Sequence, residues 1–148
     1  MNIDGETRLA GVLGWPVAHS RSPRLHNYWL RQYGINGAYL PLPVRAEHFA
    51  EAVRGLVRLG FAGANVTVPH KEAAFALCDR ADDSARKAGA ANTLVFTPEG
   101  EIRGSNTDGF GFLEALRAGV PGFDAKKGPA VVLGAGGSAR AVVQALVA

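Results

Sequence analysis

Apolar runs alternate with helically spaced apolar positions along this chain of 148 residues. Leu9 to Leu13 reads as a short strand closed by Gly14-Trp15-Pro16. Pro23 to Tyr33 places Leu25, Trp29 and Tyr33 at helical spacing, with Ser22 as the expected N-cap. Ala38 to Val44 is extended. Pro41 and Pro43 predict an edge strand there, because proline has no N–H to give a second neighbour. Glu47 to Leu59 puts Phe49, Val53, Leu56 and Val57 on one side of a helix that Gly60 stops. Ala62 to Val68 is strand-like and ends at Pro69, which suits the first turn of a helix starting near His70.

The pattern continues with a short helix over Asp82 to Lys87. Asn92 to Thr97 and Glu101 to Arg103 flank Pro98-Glu99-Gly100, a hairpin signal. Asp108 to Arg117 is helical, with Phe110, Leu113 and Leu116 apolar. Residues 119–129 read as a linker, Ala130 to Leu133 as a strand, and Ser138 to Val147 as a helix. Such alternation implies an α/β fold with a mostly parallel sheet covered on both faces. The expected organisation is a three-layer α/β/α domain over residues 1–118. Residues 119–148 then supply a linker and the first βα unit of a Rossmann-type nucleotide domain.

Composition narrows the class only a little. Hydrophobic residues make up 47% and charged residues 20%, ordinary for a globular protein. The sixteen Lys and Arg exceed the acids enough for a net charge of +3, but they are scattered and form no basic stripe. Nucleic acid is therefore not an expected partner, whereas a small anion would use the same excess. Cys78, the one cysteine, lies among Ala74, Phe75, Ala76 and Leu77 and reads as a buried structural thiol. No signal peptide or membrane-spanning run is visible, so the expected location is the cytoplasm.

Polar residues gather where strands are expected to end. Lys71 follows Asn65-Val66-Thr67-Val68-Pro69-His70, at the mouth of a strand-to-helix turn. Ligands bind at that edge of open α/β sheets. An ammonium there faces the positive end of a helix dipole, a placement suited to giving up a proton. Ser20 and Ser22 precede the first helix, where hydroxyls and free N–H groups suit a carboxylate or phosphate. Asn92-Thr93 offers a donor and an acceptor for a hydroxyl. Asn106-Thr107-Asp108-Gly109 puts a carboxylate at a helix start, able to hold Lys71. Taken one at a time, each is as easily a cap, a turn residue or a solvated side chain. His19 and His70 occupy the same turns and are alternative bases. His26 and His48 fall inside helices and are expected to be solvated. No metal-ligand spacing occurs. Gly134-Ala135-Gly136-Gly137-Ser138-Ala139 lies between the last strand and helix as G-x-G-x-x-A, with Arg140 beside it. This is the context in which backbone N–H groups receive a dinucleotide pyrophosphate. Together the segments suit hydride transfer to a small polyhydroxylated acid, with Lys71 and Asp108 moving the proton.

At these residues the chain resembles the shikimate dehydrogenase family. The matching stretches are Gly14-Trp15-Pro16-Val17 through Ser20-Arg21-Ser22-Pro23, Asn65 to Lys71, Ala90 to Thr93, Asn106 to Gly109, and Gly134 to Arg140. The resemblance implies reversible NADP-dependent reduction of 3-dehydroshikimate to shikimate in aromatic amino-acid synthesis. It implies that Ser20 and Ser22 hold the substrate carboxylate. Thr67, Asn92 and Asp108 would bind ring hydroxyls, with Thr107 nearby, and Lys71 would be the acid/base residue paired with Asp108. Gly134, Ala135, Gly136, Gly137, Ser138, Ala139 and Arg140 would face the cofactor. NAD in place of NADP, quinate in place of shikimate, and a module that binds the acid without turning it over all stay open. A homodimer is among the assemblies allowed. Family members continue through a complete nucleotide domain, so the chain is expected to be a fragment of a longer enzyme.

Overall fold

A computed structural model of the chain describes residues 3–147. Its strands are β1 (Arg8–Gly14), β2 (Gly37–Pro43), β3 (Gly63–Val66), β4 (Arg80–Ala81), β5 (Thr93–Phe96) and β6 (Ile102–Ser105). The helices are α1 (Ser22–Gln32), α2 (Phe49–Arg58), α3 (Lys71–Ala76), α4 (Asp83–Ala88), α5 (Asp108–Gly119) and α6 (Gly137–Val147). The six strands form one sheet in the order β2-β1-β3-β5-β6-β4. Pairs β1–β2, β1–β3 and β4–β6 are parallel, and β5 runs antiparallel to both its neighbours.

Alternation along the strands builds two different faces. Leu13, Ala64, Val66, Leu94, Phe96 and Ile102 point to one side. There they meet Phe49, Val53 and Leu56 of α2, Ala74 of α3 and Ala85 of α4 in the main core. The other side carries Val12 and Tyr39, packed with Val17 and Leu30 of α1. Helix α1 covers only the β1–β2 end of that side. Beyond it runs a groove of about 340 Å³ past Trp29, Tyr33, Asn65, Thr93 and Val95. Val95 is 51% exposed. The mostly parallel sheet is thus covered fully on one face and in part on the other.

Several expectations change in detail. Strand β2 takes the edge, as its prolines require, and Gly60 ends α2 with φ +74°. Ser22 is the first residue of α1 and not its cap. The Ser20 hydroxyl accepts the Ser22 N–H at 3.3 Å instead. Pro69 stands before α3, after a cis Val68–Pro69 bond, and α3 begins at Lys71. Residues 130–133 form no strand. Val131 and Leu133 are 86% and 95% exposed, and no described strand lies beside them to complete a ladder. His26 is not simply solvated: its ring stacks on Tyr39 at 4.2 Å, and burial pushes its pKa down. No described helix is long and apolar enough to cross a membrane.

Cys78 lies under β6. A Cβ placed on Gly104 would collide with its sulfur, so glycine makes room for the thiol. The thiol donates to the Ala74 carbonyl at 3.2 Å. Burial, helped by the neighbouring Asp79 charge, pushes the thiol pKa up to about 11. Thiolate is the reactive form. We therefore expect negligible alkylation of Cys78 by iodoacetamide in the folded chain at pH 7, rising steeply only above about pH 10. Intact mass against pH measures it, and rapid labelling at neutral pH would contradict the raised pKa of this half-buried thiol.

Candidate active site at the strand ends

The reversal at β5 gathers the polar turns. Parallel strands β1, β3 and β6 all finish at one edge, and the antiparallel β5 starts there. Thr93 sits opposite Asn65 of β3 and Ser105 of β6. The turns after β1, β3 and β6 and the turn before β5 therefore share that edge. Ser20, Thr67, Lys71, Asn92 and Asp108 all belong to it.

Lys71 is the meeting point. Its Nζ donates to Asp108 Oδ2 at 2.5 Å and to Ser138 Oγ at 2.8 Å. The lysine and aspartate side chains are 13% and 22% exposed. A six-residue helix α3 carries little dipole, so it is the carboxylate of Asp108 that fixes the lysine. The aspartate is held in turn. Asn92 Nδ2 donates to Asp108 Oδ1 at 2.8 Å, and the Asp108 N–H donates to Asn106 Oδ1 at 3.0 Å. Asn106 is only 5% exposed and donates to the Ala90 carbonyl at 2.8 Å. Asn106 thus takes the first N–H of α5, whose N-cap position falls on Thr107 and not on Asp108.

The network extends past the residues that the sequence marks. Asn92 Nδ2 also donates to Thr107 Oγ1 at 2.9 Å. Asn92 Oδ1 accepts from the Thr107 N–H, the Thr107 hydroxyl and the Thr93 hydroxyl. Asn65 Nδ2 donates to Thr93 Oγ1 at 3.1 Å, and the Tyr39 hydroxyl donates to Asn65 Oδ1 at 2.7 Å. Burial pushes the Tyr39 phenol pKa well up, so it stays a donor. Tyr39 lies outside every motif, and Asn65 opens the Asn65 to Lys71 stretch without an expected role. The available signal was Asn65 itself, a polar amide inside an apolar strand.

The remaining expected residues lie at the edge without joining this network. Ser20 and Ser22 are half-buried in the turn after β1 and bond to each other, not to the lysine cluster. Thr67 packs its methyl against Gly14, where a Cβ would come within 2.5 Å. His19 is exposed. His70 is 1% exposed, stacks on Phe49 at 4.6 Å and bonds the Val44 carbonyl at 2.8 Å. It is a structural histidine and not an accessible base. The glycine turn comes close to the lysine: a Cβ on Gly137 would meet Ala90 at 2.7 Å and Lys71 at 3.3 Å. Between them lies a groove of about 440 Å³ bordered by Val68, Pro69, Glu72, Gly136 and Ala139. Arg140 pairs with Glu72 of α3 at 3.2 Å and donates to the Ala135 carbonyl at 3.2 Å. An amine pinned by a carboxylate and a hydroxyl, facing a groove, can exchange a proton with an oxygen placed in that groove.

The architecture is that of a ligand-binding α/β domain whose site lies outside the strand ends. The chain belongs to the family described as shikimate dehydrogenase substrate binding domain, whose model matches residues 12–94. It is 64% identical, over 146 residues, to the shikimate dehydrogenase (NADP(+)) of Acidiphilium cryptum, an alignment covering 99% of this chain and 52% of that protein. The structure of shikimate dehydrogenase from Aquifex aeolicus superposes with a TM-score of 0.92 at 42% identity, covering 99% of this chain and 54% of that one. The Thermus thermophilus shikimate 5-dehydrogenase, solved with NADP(H) and shikimate, gives 0.85 at 45% identity, over 95% and 52%. The chain spans about half the length of the curated relatives it matches.

Asn106 tests how the site is held. Asn106→Ala leaves the Ala90 carbonyl and the Asp108 N–H without a partner in a buried setting. We expect a loss of about 1–3 kcal/mol in unfolding free energy, read by urea denaturation. An unchanged midpoint would show that the amide is not a support.

Proposed function

We propose that this chain is the substrate-binding half of an NADP-dependent shikimate dehydrogenase, which interconverts 3-dehydroshikimate and shikimate in aromatic amino-acid synthesis. The observation that carries the proposal is the Lys71–Asp108 pair, braced by Asn92 and set against a glycine-rich turn. The high identity to proteins named for this activity supports it. Residues 1–118 form the substrate domain in this reading, and residues 119–148 begin a nucleotide domain. The enzyme works in the cytoplasm.

Each step follows from groups of the chain. Ser20 and Ser22 receive the ring carboxylate at the start of α1. Thr67, Asn92 and Thr107 orient ring hydroxyls. In reduction, the Lys71 ammonium gives a proton to the carbonyl oxygen as that oxygen gains negative charge. In oxidation, the neutral amine takes the proton back from the hydroxyl. Asp108 keeps Nζ aimed by holding one N–H and stabilises the ammonium form as it appears. The turn at Gly134–Gly137 fits the phosphate end of a dinucleotide. Gly134 has φ +130°, a Cβ on Gly136 would meet no atom, and Arg140 stands beside it. NADP, when bound, supplies or accepts the hydride.

Shikimate titrated calorimetrically into the 148-residue chain should give saturable binding, whereas benzoate, a ring carboxylate without hydroxyls, should not. Equal binding of the two, or of neither, would remove the proposal. In an enzyme that joins this chain to a complete nucleotide domain, Lys71→Ala should lower kcat by about 10²-fold or more with KM little changed. Steady-state kinetics decide this, and a near-normal kcat would refute the acid/base role.

A further inference from the structure

We infer that Ser138 is a positioning residue for Lys71, a hydroxyl sent from the glycine-rich turn to aim the lysine amine. The inference rests on the proposed shikimate site and assigns Ser138 a part other than contact with a cofactor.

A lysine ammonium has three N–H donors and no acceptor. One goes to Asp108 Oδ2 and one to Ser138 Oγ. Among the described residues Nζ has no third partner, so one N–H is left facing the groove. One bond would let the head pivot about it as Cε shifts, whereas two hold the tetrahedral ammonium and so set where its third N–H points. Ser138 is suited to both protonation states. Its oxygen accepts from the ammonium, and its O–H can donate to the lone pair of the neutral amine. Asp108, an ionised carboxylate, can only accept. The serine oxygen also lies 3.4 Å from Asp108 Oδ2, close enough to swing between the two partners.

The placement of Ser138 is set by packing. Gly109 lets α5 and α6 approach so closely that a Cβ there would come within 2.7 Å of the Ala141 carbonyl. Ala88, Ala90 and Ala141 form a small buried cluster beside them. Arg140, one turn-face away, pairs with Glu72 next to Lys71. Two consecutive residues of α3 are thus engaged by two residues of the α6 start. A change at the lysine amine has a direct route to the backbone of the glycine turn.

The test uses the 148-residue chain labelled with ¹⁵N. Adding shikimate to the wild type should shift the amide signals of Gly136, Gly137 and Ser138. In Ser138→Ala the Gly136 and Gly137 shifts should vanish, and shikimate affinity by calorimetry should fall roughly 3- to 10-fold, the range of one hydrogen bond. Ser138→Thr, which keeps the hydroxyl, should restore both. Because Ser138 is exposed, the alanine variant should melt with the wild type, so a lost response reports the bond and not the fold. Unmoved glycine signals with full shikimate binding, or an alanine variant that responds like the wild type, would overturn the inference. Failure of the wild type to bind shikimate would instead overturn the functional proposal beneath it.

Discussion

The antiparallel course of β5 is the constraint on which the site depends. Four strands surround the region, and in a sheet with parallel strands alone Asn92 would sit at the opposite edge. Four strand residues at about 3.3 Å each would put it roughly 13 Å from Asp108. Reversal instead sets Thr93 against Asn65 on one side and Ser105 on the other. Asn92 then stands between the lysine turn and the aspartate turn. Its backbone is tied to both neighbours, its N–H to the Ser105 carbonyl and its carbonyl to the Val66 N–H. The side chain has no freedom to leave the pair it braces.

The two faces of the sheet divide the labour. The main core is apolar and carries the stability, with Phe49, Val53, Leu13 and Leu94 almost fully buried. The polar chain from Tyr39 through Asn65, Thr93, Asn92 and Asp108 to Lys71 occupies the other side and the edge. Burying polar groups is costly unless each is paired. Among the described residues, no buried side-chain nitrogen or oxygen lacks a partner. The network thus orders the site at little cost to the fold, and the lysine and aspartate retain enough exposure to reach a ligand.

Much of this was legible in the residues, for reasons that differ by element. Pro41 and Pro43 announced an edge strand because a missing N–H has only one meaning in a ladder. The hairpin at Pro98-Glu99-Gly100 and the stop at Gly60 were equally local. Lys71, Asn92 and Asp108 stand out only together, as polar residues gathered at successive strand exits. What stayed hidden depended on partners distant in sequence. Two-residue β4 is too short to show a period and exists only because β6 offers an edge. His70 sits in a turn where a base could serve, but Phe49 and Val44, distant in sequence, enclose it. Residues 130–133 have a strand's pattern without a strand beside them. Tyr39 and Asn65 are separated by 26 positions, and nothing in either segment names the other.

Both hydrogens of the Asn92 amide are already committed, one to Thr107 and one to Asp108, and its oxygen is shared by three donors. At Asn92, binding of the ring that the proposed function calls for would therefore exchange bonds and not add them. A hydroxyl placed at Asn92 must take over a partner that the protein has been supplying to itself, whereas the third N–H of Lys71 is open. The heat of that one contact is then a small difference between two similar sums. Discrimination falls on stereochemistry: a hydroxyl of the wrong configuration breaks an internal bond without replacing it.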